Sequence, residues 1–211
     1  MIDPTPLDNV STQATTFLAW TDPGLAKNSD AELAETAVLQ CLALVQAYVL
    51  DKPGEAPGTL WSQALSQLPL VSVAAQNTLS TTADQLDVLV AQVAKSLANL
   101  AGAASGDAIV PLLPMSPHQA GKAQNLVQTV VSASAGQVTA QISQLVLTFE
   151  EVDSGLLPPQ REWKLNETLS SIAFAYQQLK VPATRDNWNK LMAGTKPSEV
   201  TSLPTYHRLT L

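Results

Sequence analysis

Charge is what this sequence has least of. Charged residues make up 14% of the 211 positions, against about a quarter in ordinary globular chains. The eleven lysines and arginines are scattered, the eighteen acids outnumber them, and the net charge is −7. Nucleic-acid binding needs clustered cations to neutralise phosphates, so no nucleic-acid partner is expected. Electrostatic attachment to anionic lipid is disfavoured for the same reason. Cysteine is nearly absent, and the single Cys41 excludes an intrachain disulfide framework and a multi-cysteine zinc site. The phosphate-binding patterns GxGxxG and GxxxxGK[ST] are missing, as are HExxH and SxxK. The opening residues, Met1 to Pro6, hold neither a basic stretch nor an apolar run. The expectation is therefore a chain without a secretory signal, cytoplasmic or exported by a route that leaves no N-terminal mark. No long uninterrupted apolar run suggests a constitutive transmembrane helix.

What is present reads as helix. Residues 1–28 hold Pro4, Pro6, Pro23 and Gly24 and suggest an irregular arm with a short helix near Thr12 to Trp20. Asn28 or Ser29 can cap a helix to about Leu50, with Asp30 and Glu32 at the positive end of its dipole. Leu33, Ala37, Cys41, Leu44 and Tyr48 recur at helical steps along it. A short segment from Gly58 to Gln67 follows, then one from about Val71 or Thr81 to Leu100. The longest runs from Pro117 to about Asp153, where Val127, Val131, Ser134, Val138, Ile142, Leu145 and Phe149 are spaced by 4, 3, 4, 4, 3 and 4. Leu165, Leu169, Ile172, Tyr176 and Leu179 suggest a fifth helix, and Thr184 to Met192 a short last one. The expected fold is all-α: one elongated helical bundle of five to six helices spanning 29–193, with one helix of roughly 30 residues or more and an extended tail over 194–211.

Function is sought in the middle of the chain. Between Ala56 and Phe149 there are five charged residues, Asp84, Asp87, Lys95, Asp107 and Lys122, and the other 24 lie outside that span. Ala56 to Ala83 and Ala123 to Phe149 carry none. The polar positions are filled instead by neutral side chains, among them Gln124, Gln128, Ser132, Thr139 and Ser143. Neutral polar groups cost far less than charges to bury against another chain, a surface or a lipid interface. Those five residues, with Trp61 in the other charge-free run, form the candidate interaction face. Replacing Gln128 or Thr139 with Glu is expected to leave the chain folded and weaken association.

The side chains that could carry chemistry have simpler readings. His118 lies in a proline-rich loop and His207 in the tail, 89 residues apart. Glu150, Glu151 and Asp153 lack the EF-hand spacing. Ser132 to Gly136 lacks the first glycine of a nucleophile elbow. Cys41 falls on an apolar stripe, as a small core hydrophobe does. Asp84 and Asp87, like Glu32 and Glu35, sit near helix starts. No catalytic residue, cofactor or metal site is assigned.

Three readings follow from the charge-poor middle. One is a stable monomer with biased composition. The leading one is a non-enzymatic interaction or assembly protein that packs its neutral faces against a copy of itself or another chain. The third is a membrane-active protein that is soluble first and inserts into a lipid membrane later; in architecture it resembles the helical pore-forming toxins.

Overall fold

The computed structural model describes residues 15–52, 55–134, 137–153 and 161–211. Several helices form where the spacing places them. α1 (Ser29–Leu50) begins at Asn28, whose side-chain oxygen accepts from the backbone N–H of Asp30 at 2.9 Å and of Ala31 at 3.2 Å. That satisfies two donors with no partner inside the helix. α2 (Pro57–Gln67) opens on proline, whose missing N–H is no loss at a first position. α3 (Leu86–Ala101) stops at Gly102, which adopts φ 76°, a left-handed conformation a glycine takes without strain. α4 (Pro182–Leu191) and α5 (Pro197–Thr201) lie near the end.

The expectation of an all-α bundle is overturned. Among the described residues six strands form one mixed sheet: β1 (Thr16–Thr21), β2 (Val71–Ala83), β3 (Gln124–Ser134), β4 (Gln137–Asp153), β5 (Arg161–Phe174) and β6 (Tyr206–Thr210). Their order is β2-β5-β4-β3-β1-β6. β2, β5, β4 and β3 pair antiparallel, while β1 lies parallel to both β3 and β6. The segment read as one long helix from Pro117 is a short 3-10 turn followed by the β3–β4 pair. The supposed fifth helix is β5 and a 3-10 turn, and the supposed short N-terminal helix ends in β1.

The misreading has a geometric cause. A step of four residues returns to the same side of a strand as well as of a helix. Val127 and Val131 lie on one face of β3, and Val138 and Ile142 lie on the same face of β4. The step of three from Val131 to Ser134 ends at the reversal between the strands, where the side-chain alternation restarts, and the step of three from Ile142 to Leu145 crosses to the other face within β4. Leu145 and Phe149 belong to the opposite face. They are buried because helices cover β4 on both sides, which removes the alternation that marks a strand wet on one side.

Three layers result. α1, α2, α4 and α5 cover one face, where Val38, Cys41, Leu42, Trp61, Val127, Ile142 and Phe174 join one core. α3 and the proline-rich loop after it cover the other, where Leu89, Val93, Leu97, Leu126, Leu145 and Phe149 form a second. α1 is long and apolar enough, by length and composition, to cross a membrane. Eight of its residues, including Ala34, Val38, Cys41 and Val45, are buried against the sheet, while Leu50 at its end is exposed.

Candidate functional site

The charge-free stretch Ala123–Phe149 contains the β3–β4 hairpin, with eleven residue pairs from Gln124 opposite Leu147 to Ser134 opposite Gln137. Residues directly opposite each other share a face. Toward α1 and α2 the hairpin presents Val127, Thr129, Val131, Val138, Ala140 and Ile142, with Asn125, Gln144 and Val146 at its base. Toward α3 it presents Gln124, Gln128, Val130, Ser132, Thr139 and Ser143, with Leu126, Leu145 and Leu147 at its base.

The structure therefore brings together five of the six candidate residues, on one face of two neighbouring strands. Ser132 lies opposite Thr139, their hydroxyls 3.2 Å apart, and Gln128 lies opposite Ser143. Thr139 is exposed, whereas Gln128 and Ser143 are 1% and 2% exposed beneath α3. Gln124 is buried near the Gln119 amide. Trp61 is elsewhere: it is fully buried on α2 over the other face, its ring edge-on to Phe17 with centroids 5.5 Å apart.

Two glutamines tie the hairpin to the helices above and below it. Gln128 donates through Nε2 to the Leu97 carbonyl of α3 at 3.0 Å. Gln144 donates to the Gly58 carbonyl of α2 at 2.7 Å and to Asn125 Oδ1 at 2.8 Å, and its Oε1 accepts from the Ser62 hydroxyl at 2.7 Å. Asn125 continues the chain by donating to Thr15 Oγ1 at 3.0 Å. Gly58 allows this close approach, since a Cβ there would meet Val146 Cγ2 at 2.6 Å. Gln128 and Ser143 are opposite residues in the strand register, and Gln128 Oε1 and Ser143 Oγ have no hydrogen-bond partner among the described residues. A buried oxygen left this way loses its hydration without replacement, at a cost of roughly 1–3 kcal/mol. Sequence reading missed Asn125 and Gln144; membership of the same charge-free run was the available signal.

A cleft of 380 Å³ opens between α3 and the β2–β5 edge, lined among others by Leu79, Thr81, Gln92, Lys95, Leu165 and Glu167. Burial pushes the Glu167 carboxyl above the usual carboxylate range, and no cation lies within ion-pair distance of it among the described residues. Its folded-state pKa exceeds its unfolded one. Its contribution is then complete below the ordinary carboxylate pKa of about 4.3 and is lost as pH rises through the raised value. Glu167→Gln is expected to raise the melting temperature at pH 7 slightly, since solvent screens a half-buried carboxylate, with the gain vanishing near pH 4. Melting curves against pH check this, and an equal shift at both pH values would contradict it.

The remaining polar candidates stay apart. His118 is exposed in a 3-10 turn and His207 lies on β6. Cys41 is fully buried, and burial drives its thiol pKa upward, away from the reactive thiolate. Among the described residues no three His, Cys, Asp or Glu side chains gather as metal ligands would.

No protein-family model matches the chain, and no curated protein matches it. Solved structures do. The Evf virulence factor superposes with a TM-score of 0.51 at 11% identity, covering 93% of this chain and 86% of that one. A delta-endotoxin superposes with a TM-score of 0.44 at 10% identity, covering 82% of this chain and 90% of that one. The first likeness is one of fold.

Proposed function

We propose that the protein is membrane-active and toxin-like, and that the β3–β4 hairpin is the segment that enters the bilayer. The helical form of this idea falls with the all-α fold; the strands take the place of the helices. The observation that carries it is the hairpin itself: eleven paired residues per strand without a charge, with Val127, Val131, Val138, Ala140 and Ile142 gathered on one face and Gln124, Gln128, Ser132, Thr139 and Ser143 on the other, beside Leu126, Val130 and Leu145. Eleven strand residues extend about 36 Å, enough to cross a hydrocarbon core of about 30 Å at a tilt. Membrane strands alternate apolar toward lipid and polar toward a lumen. Val127, Val131, Val138 and Ile142 would face lipid together with Thr129 and Gln144, and Gln128, Ser132, Thr139 and Ser143 the lumen together with Leu126, Val130 and Leu145. Backbone groups inside a bilayer need partners, so hairpins from several copies would have to close into a barrel.

Ordinary packing accounts for the apolar face, which α1 covers. Gln46 Oε1 and the indole nitrogens of Trp20 and Trp61 also lack partners among the described residues. On the other face of the hairpin the unpartnered atoms are Gln128 Oε1 and Ser143 Oγ, buried under α3. Those atoms would regain hydration in a lumen. The ties to the helices are neutral hydrogen bonds, each worth about 1 kcal/mol net, and their release exposes no charge to lipid. Glu150, Glu151 and Asp153 follow the hairpin base and would stay in water on the side of entry. A protein of this fold is a virulence factor, which supports a toxin-like reading.

The test is dye release from vesicles of neutral phosphatidylcholine. Release is expected to rise with protein concentration and to persist at high salt, because no basic patch draws the protein to the surface. Vesicles that stay sealed at every protein-to-lipid ratio would refute the proposal.

A further inference from the structure

β2 is an outer strand of the sheet, bonded on one side to β5 and on the other to nothing among the described residues. Natural sheets guard such edges with charge, proline, short strands or bulges, because an open row of N–H and C=O groups recruits further strands. The opposite edge follows this rule: β6 is five residues long and carries Arg208, paired with Glu35 of α1 at 3.3 Å. β2 does not. It is thirteen residues long, without a charge or a proline, and residues 74–80 are all exposed. Its one irregularity, between Val73 and Ala75, lies near the start and leaves Ala75–Ala83 in regular pairing. At the midpoint of that regular run stands Leu79, 55% exposed, a large apolar side chain with little cover.

We infer that β2 pairs antiparallel with β2 of a second copy of this chain, about a two-fold axis at Leu79. This geometry sets Leu79 against its own mate, Ser80 against Thr78, Thr81 against Asn77 and Thr82 against Gln76. Each is an apolar or a neutral polar pair, and cross-strand pairs of these kinds are favourable. A charge on or next to the two-fold axis would stand within a few ångströms of its duplicate, so a strand without charges suits a second copy in particular. The nearest charges, Glu167 opposite Leu79 and Lys164 opposite Thr82, lie one strand further in on β5. Two copies then stand about three strand spacings apart, roughly 14 Å, beyond the screening length at physiological salt. The edge is also ordered in advance: Ser80 donates to Asn166 Oδ1 at 2.8 Å, and the Thr78 and Thr168 hydroxyls lie 3.4 Å apart. Pre-ordering lowers the entropy lost on association. One strand pair buries less than the roughly 1,200 Å² of a stable interface, so the dimer is weak and dependent on concentration. This pairing does not rest on the membrane reading, since it needs no lipid.

Sedimentation velocity of the full chain should show a dimer fraction that grows with concentration. Leu79→Lys should return the protein to monomer at the highest concentration while keeping its circular dichroism and melting temperature. For register, Leu79→Cys should form a disulfide-linked dimer under mild oxidation. An equimolar mixture of Asn77→Cys and Thr81→Cys should cross-link about tenfold faster than either alone. Cys41 is buried and stays out of the reaction. A wild-type chain that sediments as a monomer throughout, or a mixture no faster than its components, would overturn the inference.

Discussion

Joining α2 to the hairpin by a disulfide is expected to abolish vesicle leakage, and reducing that bond to restore it. An ideal Cβ on Gly58 lies 3.5 Å from Cβ of Val146, within the roughly 3.5–4.5 Å that disulfides span. Gly58→Cys with Val146→Cys also removes the valine methyls that a side chain at position 58 would strike. For the hairpin to enter a bilayer, α2 must leave it, and Gln144 must release the Gly58 carbonyl and the Ser62 hydroxyl. Those contacts are reversible; a covalent bond is not. Leakage by the oxidised variant should fall at least tenfold below wild type and return with dithiothreitol, while circular dichroism stays unchanged. Full activity in the oxidised state would mean that α2 and β4 need not separate, and the hairpin would lose its assigned role.

Gln128→Glu is expected to cost about 3–5 kcal/mol at neutral pH, the range seen when a buried charge stands without a partner. Gln128 is 1% exposed and its amide donates to the Leu97 carbonyl. A carboxylate there would set oxygen against the Leu97 carbonyl oxygen at a position almost closed to solvent. Its pKa would rise on folding, so the stability is retained at low pH and lost as pH rises through the raised value. Urea midpoints should therefore show a large deficit at pH 7 that narrows toward pH 4. Thr139→Glu, on the same sheet face but exposed, should change stability by no more than about 0.5 kcal/mol. Equal, small effects at both positions would place Gln128 in contact with water. This corrects the expectation that glutamate at either position leaves the fold intact: two residues equivalent in the sequence pattern differ because α3 covers only one of them.

Much was legible in single residues and short spacings. Asn28 marks the start of α1, and Cys41 belongs to its buried side. Those signals are local, and local signals survive without knowledge of the partner. The neutrality of residues 123–149 was equally plain, and so was the grouping of Gln124, Gln128, Ser132, Thr139 and Ser143. Even with the wrong element type the grouping survived, because steps of four preserve the face in a strand.

The sequence by itself determined that the middle of this chain is neutral, that its hydroxyls and amides line up, and that it holds no local catalytic signature. Tertiary structure alone decided that the aligned groups sit on a sheet. Strand pairing links residues far apart in the chain, such as Thr16 with Leu126 and Thr82 with Lys164, and no local period encodes such contacts. It also decided which of the aligned groups are dry. Burial depends on where α2 and α3 come to rest, and that is set by the whole fold, not by the strand that they cover.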